Sequence, residues 1–403
     1  MKASGFLLDV TRLVSRVGKG ALTGIDRVEL AYMVRLAEEP RPVWGLLHTR
    51  LGLLLLPQAS LRMILSWMTG ETLPGGTDFW SMIAHGSNPK RAQVESALRR
   101  MAIARLPVFA AGRMLKRRLP PGVVYLNVGH SNIDGGLFSK MRKDAGIFCA
   151  VMLHDCIPAE HPEFAAPGQA AAFLAKLAVI SSEADLVIHT AAATRETNEG
   201  FLAQQGRVPK GIVAPLGISV PEANAAALPF AMEVDAPYFV TIGTLEPRKN
   251  HHLLLDVWEQ AAAEGKALPP LYLVGNRGWA DDGLFRRLQA GVAGVRHVEG
   301  LSDAAVAALI SGATALLFPS KAEGFGLPAF EAALLGTPVV ASDLPVLREF
   351  LEDFPVYLDS SDRYCWSEAI LDQVLRARRG GVKRAIPDLP TWDAHWNAVL
   401  TCL

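Results

Sequence analysis

Short apolar runs alternate with longer stretches of helical periodicity along the whole chain. In the first half these runs lie at residues 6–10, 43–47, 123–128, 147–153 and 186–189. In the second half they lie at 238–243, 271–275, 296–299 and 313–318, with helical stretches at 250–264, 282–290 and 302–311. Nearly continuous apolar runs are typical of strands buried on both faces. The alternation therefore predicts an α/β fold in which helices cover both faces of parallel sheets.

The length of the chain predicts two domains. Its 403 residues exceed the roughly 250–300 residues at which a single core stops growing. Residues 218–237 are rich in Ala and Pro, lack periodicity and are the linker candidate. We expect Rossmann-like domains at 1–218 and 236–375. The remaining segment, 376–403, contains an amphipathic helix that should pack back across the domains.

Composition excludes several functional classes. Lys and Arg number 40, as do Asp and Glu, so no net charge attracts the chain to nucleic acid. The four cysteines have neither metal-ligand spacing nor the density of a disulfide framework, which favours a reducing compartment. The first residues lack the apolar core of a signal peptide, and no apolar stretch reaches the about 18 residues of a spanning helix. We therefore expect a cytoplasmic protein.

Two glutamates eight positions apart, Glu323 and Glu331, define the first candidate site. The apolar run before Glu323 predicts a strand, and the turn that follows opens a helix containing Glu331. Gly324 and Gly326 have no Cβ, so a phosphate can approach the N–H groups at the start of this helix. Glu331 could accept hydrogen bonds from two ribose hydroxyls, and Glu323 would then face a sugar. This arrangement suits a sugar nucleotide.

Four motifs together resemble one enzyme family. The two-glutamate turn and residues 243–250 (GTLEPRKN) look like the donor site of family 4 retaining glycosyltransferases of the GT-B fold, in which two Rossmann-like domains face each other across a cleft. Residues 23–28 (TGIDRV) and 154–158 (HDCIP) are similar to motifs of the mannosyltransferase-like branch that builds bacterial polysaccharides. The resemblance implies GDP-mannose as donor. It also implies a donor-binding set, namely Gly24, Gly243, Thr244, Arg248, Lys249, Gly324, Phe325, Gly326, Leu327 and Glu331.

Arg248 and Lys249 are the candidate cations for the leaving group. A departing nucleoside diphosphate carries negative charge that the site must stabilise. The sequence contains no Asp-x-Asp motif to hold a metal, whereas an Arg supplies two parallel hydrogen bonds and a Lys a point charge. We therefore expect no metal and no other cofactor. The alternative is that this pair forms a solvated helix start.

His154 and Asp155 close the predicted strand at 147–153 and should enter the cleft from the first domain. In the resembled family this position contacts the donor sugar, which assigns His154 to sugar positioning and transition-state stabilisation, with Asp155 as its partner or an acceptor contact. A purely structural histidine is the alternative. Glu323 completes the predicted catalytic set. A front-face departure is preferred to a double displacement with a carboxylate nucleophile, and the sequence leaves both open.

The loop after the first strand, which includes Gly18, Gly20 and Gly24, can present N–H groups to a phosphate or an acceptor. Arg27 either adds charge to this loop or forms an ion pair with Asp26 or Glu29; the sequence favours neither. The glycine spacing does not match a dinucleotide-binding motif.

A basic stretch at 96–121 contains no acidic residue and interleaves cations with apolar side chains. It predicts contact with an anionic membrane or a lipid-linked acceptor at the inner face of a membrane. A solvated helix face is equally compatible. The stretch lacks the aromatic residues that would stack on bases, which argues against single-stranded nucleic acid. The cations assigned to the membrane are Arg99, Arg100, Arg113, Lys116, Arg117 and Arg118.

The leading hypothesis is a retaining, metal-independent transferase that moves a mannosyl group to a glycan or lipid-linked glycan acceptor. A UDP-sugar-using transferase or a 2-epimerase of the same fold is one alternative. A partner subunit that binds a sugar nucleotide without turnover is another. The intact set of Arg248, Lys249, Glu323 and Glu331 argues against a decayed site.

Overall fold

The computed structural model describes residues 3–19, 22–85, 88–229, 232, 234, 236–379 and 384–403. Within these residues the strands form one sheet of eight and one of six. Gly20 of the predicted glycine loop and part of the predicted linker, at 230, 231, 233 and 235, lie outside the described residues. So do residues 380–383 of the predicted C-terminal segment.

The first sheet has the strand order β4-β3-β2-β1-β5-β6-β7-β8. Its strands are β1 (Gly5–Asp9), β2 (Val43–Thr49), β3 (Gly52–Pro57), β4 (Ala104–Leu106), β5 (Val123–Asn127), β6 (Phe148–Leu153), β7 (Leu186–His189) and β8 (Lys210–Val213). The five predicted strands of this half are all present. Their residues are almost entirely buried, which explains why they form continuous apolar runs.

The prediction of purely parallel sheets is wrong at one edge of this sheet. β2 pairs with β3 antiparallel, and β3 pairs with β4 antiparallel. Only Arg50 and Leu51 separate β2 from β3, and so short a connection can form a hairpin but not a helical crossover. The apolar stretch at 51–57 is therefore an additional, buried strand of the sheet.

Ten helices surround the first sheet in the described residues. They are α1 (Thr11–Arg16), α2 (Gly24–Ala37), α3 (Ala59–Thr69), α4 (Phe79–Ala84), α5 (Pro89–Met101), α6 (Ala111–Arg118), α7 (Gly135–Ala145), α8 (Ile157–Glu160), α9 (Gln169–Glu183) and α10 (Ala192–Gln204). Helix α2 begins with a capping box: the Thr23 side chain accepts from the Asp26 N–H, and the Asp26 carboxylate accepts from the Thr23 N–H. These reciprocal bonds fix the first turn of α2.

The second sheet is parallel throughout, with the order β11-β10-β9-β12-β13-β14. Its strands are β9 (Phe239–Ile242), β10 (Leu271–Val274), β11 (Val295–Val298), β12 (Ala315–Phe318), β13 (Val339–Ser342) and β14 (Val356–Leu358). Its helices are α11 (His251–Ala263), α12 (Asp282–Ala290), α13 (Asp303–Gly312), α14 (Leu327–Leu334), α15 (Pro345–Leu351) and α16 (Arg363–Arg378). Two Rossmann-like sheets face each other, and the predicted α/β class with its GT-B arrangement of domains is confirmed.

The last helix, α17 (Trp392–Cys402), packs against the first domain. His395 donates from Nδ1 toward the carbonyls of Ala214 and Pro215, at 3.1 Å each, and accepts from the Tyr32 hydroxyl at 2.8 Å. The chain thus crosses to the second domain and returns. The predicted boundary at 375–376 falls inside α16, which continues to Arg378.

Candidate functional site

The turn between β12 and α14 carries the two predicted glutamates. Gly326 adopts φ +96°, a left-handed conformation that favours glycine, directly before α14 begins at Leu327. Phe325 stacks on Phe330 with ring centroids 4.6 Å apart, which anchors the turn to its helix. Glu331 lies in the second turn of α14 and is 5% exposed.

The predicted cations hold Glu323 between them. Arg248 Nη1 lies 2.7 Å from Glu323 Oε2, and Lys249 Nζ lies 2.5 Å from Glu323 Oε1. The Arg248 Nε atom also lies 2.6 Å from Glu246 Oε1. Burial raises the pKa of Glu323, but the two cations outweigh it and hold that pKa at about 2. The four side chains therefore form a neutral, buried cluster of two cations and two carboxylates.

Gly243 and Thr244 connect this cluster to the second sheet. They follow β9 directly, and the Gly243 N–H donates to the Val274 carbonyl at 2.9 Å. Residues 247–249 then form a short 3-10 turn that places both cations against Glu323. Asn250, which precedes α11, does not cap this helix with its side chain; the side-chain amide donates to the Ser360 carbonyl instead, at 2.8 Å.

His154 and Asp155 enter the cleft from the end of β6, opposite the glutamate turn. The His154 Nε2–H donates to the Val128 carbonyl at 2.7 Å, and burial lowers the pKa of this imidazole to about 4. It is therefore neutral near pH 7. A Cβ on Gly324 would lie 2.6 Å from Asp155 Oδ2 and 2.9 Å from the His154 carbonyl oxygen. The turn that carries Glu323 thus packs directly against Asp155 and the His154 carbonyl, and only glycine fits at 324.

Asp155 lies within the field of the cation cluster. Burial raises the pKa of its carboxyl group, whereas Arg248 opposes that rise. Its Oδ1 accepts from the Ile157 N–H at 3.1 Å at the start of α8. The side chain is consequently oriented by the backbone that follows it, while Oδ2 faces the glutamate turn.

Arg27 has a partner that the sequence did not indicate. Its Nη1 forms an ion pair with Glu331 Oε1, and its Nη2 donates to the Ser219 carbonyl at 3.3 Å. Asp26, by contrast, pairs with Arg12 at 2.7 Å. Nearby, a Cβ on Gly24 would lie 3.6 Å from Leu327 Cδ1, so α2 and α14 approach each other closely. Sequence reasoning missed the Arg27–Glu331 pair because its members are on different domains.

A cavity of about 230 Å³ lies beside the glutamate turn. Asp155 and residues of α8 and α10 line one wall, and residues 321–323 with the start of α15 line the other. Ligand pockets commonly measure about 300–1,000 Å³, so this space matches part of a sugar nucleotide. Neither Glu331 nor Arg27 lines it, which puts the predicted ribose contact on the other side of the turn.

A second group of polar residues at the carboxyl ends of the first-domain strands was not predicted. Asp9, the last residue of β1, accepts from the Tyr125 hydroxyl at 2.9 Å. Glu29 is 3% exposed; its burial, together with the Asp9 charge, raises its pKa to about 9. His130, at φ +54°, accepts from the His154 N–H at 3.2 Å. An acidic residue at the end of the first apolar run was a visible signal for Asp9. His130 had no comparable signal.

Across the described residues, His, Cys, Asp and Glu side chains do not gather in threes with the geometry of a metal site.

The basic stretch divides into a buried part and an exposed part. Arg99 is 6% exposed and faces Asp78 and Glu95, so its assignment to a membrane contact is wrong. It lies on the side of α5 that packs against α4. Arg100 is exposed and donates to the Gly76 carbonyl. The remaining predicted cations are exposed on α6, namely Arg113, Lys116, Arg117 and Arg118.

An exposed apolar surface lies on α4. Phe79, Trp80, Met82 and Ile83 are between 53% and 63% exposed. Arg50 at the β2–β3 turn donates to the Ala84 carbonyl, and Leu51 beside it is 51% exposed. The β3–β4 pairing brings Val108 and Phe109, 45% and 76% exposed, to the same end of the sheet. In the described part of the chain every helix is too short or too polar to cross a bilayer.

Parts of the chain are similar in sequence to known glycosyltransferases. Residues 230–362 match the family model described as glycosyl transferases group 1. The chain is 33% identical over 237 residues to the serotype-specific mannosyltransferase WbdA of Escherichia coli, covering 53% of this chain and 28% of that protein. It is 34% identical over 160 residues to the O-antigen chain mannosyltransferase B of Escherichia coli, covering 38% and 42%. The chain spans less than half the length of both relatives.

Solved structures share the fold over nearly the whole chain. Anabaena Alr3699/HepE, crystallised with UDP and glucose, superposes with a TM-score of 0.62 at 14% identity, covering 99% of this chain and 96% of that one. Sucrose-phosphate synthase from Thermosynechococcus elongatus superposes with a TM-score of 0.57 at 16% identity, covering 99% and 97%. At these identities the likeness concerns the fold.

Proposed function

We propose that the chain is a mannosyltransferase-like GT-B glycosyltransferase and transfers a mannosyl group from GDP-mannose to a glycan in bacterial polysaccharide synthesis. The observation that carries this proposal is the cluster of Arg248, Lys249 and Glu323, whose turn packs against Asp155 and the His154 carbonyl of the first domain. Arg248 of one domain thereby acts electrostatically on Asp155 of the other.

Departure of the diphosphate is the step that this cleft suits. Arg248 and Lys249 lie at the end of β9, where ligands of parallel sheets bind. Their charges are balanced by Glu246 and Glu323. An incoming diphosphate would compete with Glu323 for both cations and then leave against the same two groups without needing a metal.

Retention of configuration follows most simply from a front-face departure. A front-face departure needs no carboxylate nucleophile at the anomeric carbon. While both of its oxygens pair with cations and its pKa is about 2, Glu323 is a weak nucleophile and a weak base near neutral pH. We assign it to the sugar hydroxyls once the diphosphate takes over the cations. His154, being neutral, can stabilise positive charge on the sugar ring through its carbonyl and ring dipoles without adding repulsion.

Mannose and guanine are the finer part of the proposal. The two Escherichia coli relatives are named mannosyltransferases, which supports a mannosyl donor. Alr3699/HepE was crystallised with UDP and glucose, which keeps a UDP-sugar as the alternative donor. A 2-epimerase or a non-catalytic subunit would use the same fold without transfer.

A donor panel separates these functions. The protein is incubated with GDP-mannose, UDP-glucose and UDP-N-acetylglucosamine, each with and without mannosylated acceptors, and the released nucleoside diphosphate is measured. GDP release from GDP-mannose that requires acceptor supports the proposal. An isomerised sugar nucleotide would indicate an epimerase, and binding without release a partner subunit. Arg348→Ala, which removes an exposed arginine paired with Asp343, is a matched control for Arg248→Ala.

We also infer that the first domain docks on an anionic bilayer that presents a lipid-linked acceptor, as a peripheral protein at the cytoplasmic face. The specific support is the exposed apolar surface of α4 with Leu51, Val108 and Phe109, flanked by the cations of α6. Aromatic and aliphatic side chains beside Arg and Lys suit the boundary between lipid head groups and acyl chains. The exposed cations of α6 favour an anionic bilayer over a neutral one as the partner of this surface.

A further inference from the structure

We infer that Arg27 is a positioning residue of the donor site, supplied by the first domain to the ribose-binding carboxylate of the second. This inference rests on the proposed function and adds a residue for which neither the fold nor the sequence motifs predicted this role. If Arg27 has this role, the donor site is complete only when the two domains are close together.

The position of Arg27 is fixed from both ends. It follows the capping box of Thr23 and Asp26 on the first turn of α2, and Arg12 pairs with Asp26 to hold that turn. Its guanidinium group then reaches across the cleft, with Nη1 on Glu331 and Nη2 on the Ser219 carbonyl. A guanidinium that is also held by a backbone carbonyl presents a fixed positive charge to one oxygen of the carboxylate.

Arg27 favours the ionised form of Glu331, which is the better acceptor. Glu331 is 5% exposed, and burial favours the neutral form of its carboxyl group. The charged groups that act on it among the described residues are Arg27 on α2, which lowers its pKa, and Asp303 on α13, which raises it. A protonated carboxyl group has one oxygen turned donor and accepts two ribose hydroxyls less well. Arg27 thus preserves the charge that the ribose contact uses.

Domain approach and donor binding are coupled through this pair. Arg27 belongs to the first domain and Glu331 to the second, and the gap between α2 and α14 is closed where Gly24 meets Leu327. Separation of the domains would break this ion pair. Ribose binding should therefore favour the closed arrangement, because only that arrangement brings Arg27 to the carboxylate.

The test compares Arg27→Ala, Arg27→Lys and Arg35→Ala by calorimetric binding of GDP-mannose between pH 5.5 and 8.5. Arg35 is half-buried on the same helix and pairs with Glu39, so its removal controls for charge and folding. Wild type and Arg35→Ala should have the same dependence of affinity on pH. Arg27→Ala should lose affinity relative to both as pH falls, by up to about tenfold for each pH unit, and recover on alkalinisation. Arg27→Lys should restore most of the affinity at pH 7.

A second probe isolates the ribose. GDP lacking the 2′ and 3′ hydroxyls should bind wild type more weakly than GDP, and Arg27→Ala at low pH should lose this discrimination. A uniform loss of affinity at every pH, or retained discrimination, would overturn the role of Arg27. If wild type bound no sugar nucleotide at all, the proposed function itself would fail, which is a separate outcome.

Discussion

Lys249 Nζ lies 2.5 Å from Glu323 Oε1, so a predicted catalytic carboxylate is the counter-ion of a predicted phosphate-binding cation. Arg248 holds the other oxygen of the same carboxylate at 2.7 Å. The charge of these cations is therefore already opposed by a carboxylate of the protein. Binding of a diphosphate becomes an exchange of one anion for another, and Glu323 is released at the moment the donor arrives.

Glu323→Gln tests this exchange. The amide keeps the shape of the side chain but removes the competing charge, so GDP should bind about tenfold more tightly, equivalent to about 1.4 kcal/mol. Turnover should nevertheless fall by about 10²-fold or more, because a group that steers the sugar is lost. Calorimetry with GDP and steady-state transfer rates measure the two effects.

Glu246→Gln is the matched control for that experiment. Glu246 pairs with Arg248, and its side chain does not share the Lys249 contact with Glu323. It should strengthen GDP binding while leaving most of the turnover. Equal losses of turnover in the two variants would mean that Glu323 acts only through the local charge.

Glu349, on α15 of the second domain, caps helix α10 of the first domain and so links the two domains. Its two carboxylate oxygens accept from the N–H groups of Ala192 and Ala193, at 2.8 and 3.0 Å, while α10 has no side-chain cap of its own. A helix cap contributes about 1 kcal/mol. Glu349→Ala should therefore shift the population toward open domains, seen as an increased radius of gyration in small-angle scattering of the unliganded protein. Glu368→Ala, on α16, should leave the scattering unchanged.

Features that depend on neighbouring residues could be predicted from the sequence, whereas contacts between distant residues could not. Strands buried on both faces and the turn before Glu331 are encoded by neighbouring residues, and the predicted positions agree with the structure to within a few residues. Contacts between domains are not encoded in that way. Arg27 had two plausible partners beside it in sequence, and its actual partner lies more than 300 positions away.

The pairing of strands at the edge of the first sheet is also hard to predict from sequence. Residues 51–57 are a short apolar run, but periodicity alone does not specify whether such a run pairs parallel or antiparallel. The antiparallel pairing follows from the two-residue connection to β2. Arg99 was misassigned because its sequence neighbours are cationic, whereas its spatial neighbours, Asp78 and Glu95, are acidic.

Glu29 should make the stability of the protein fall as pH rises. Its pKa is about 4.5 in the unfolded chain and about 9 in the folded one. Between these values the unfolded state releases a proton that the folded state keeps, so this group's contribution is complete below pH 4.5 and is lost toward pH 9. The slope is at most about 1.4 kcal/mol for each pH unit. Glu29→Gln should thus gain stability relative to wild type as pH increases from 5.5 to 8.5.

Urea unfolding at several pH values measures that gain, and Glu39→Gln provides the contrast. Burial raises the pKa of Glu39, but pairing with Arg41 and Arg35 outweighs it and lowers that pKa. Its stabilisation is present above the unfolded pKa and is lost as pH falls. Glu39→Gln should therefore be destabilising by a constant amount from pH 5.5 to 8.5. A constant difference for Glu29→Gln as well would contradict a protonated Glu29.

The α4 surface should anchor the protein to lipid. Replacing Trp80 and Ile83 by Ser removes two side chains, each worth about 1.5–3 kcal/mol when transferred from water into an apolar phase. Co-sedimentation with phosphatidylglycerol vesicles should fall by about tenfold or more. Tyr364→Ser with Leu375→Ser changes exposed side chains of the second domain and should have no effect.

Salt separates the apolar from the ionic part of that attachment. Charge removal at Arg113, Lys116 and Arg117 should weaken binding at low salt and matter little at high salt, because screening already removes the attraction there. Vesicles without anionic lipid should bind weakly. Wild-type binding that is equal on neutral and anionic vesicles would contradict an anionic bilayer as the occupant of this surface.

An assay of mannosyl transfer tests whether this cleft catalyses a retaining transfer that depends on Arg248. Wild type, Arg248→Ala and Arg348→Ala are given GDP-mannose labelled in the sugar together with a mannosylated acceptor, and the labelled product and its anomeric configuration are read by NMR. We expect an α-linked product from wild type and Arg348→Ala, and a transfer rate about 10²-fold or more lower in Arg248→Ala. Undiminished transfer by Arg248→Ala, or an inverted product, would contradict this expectation.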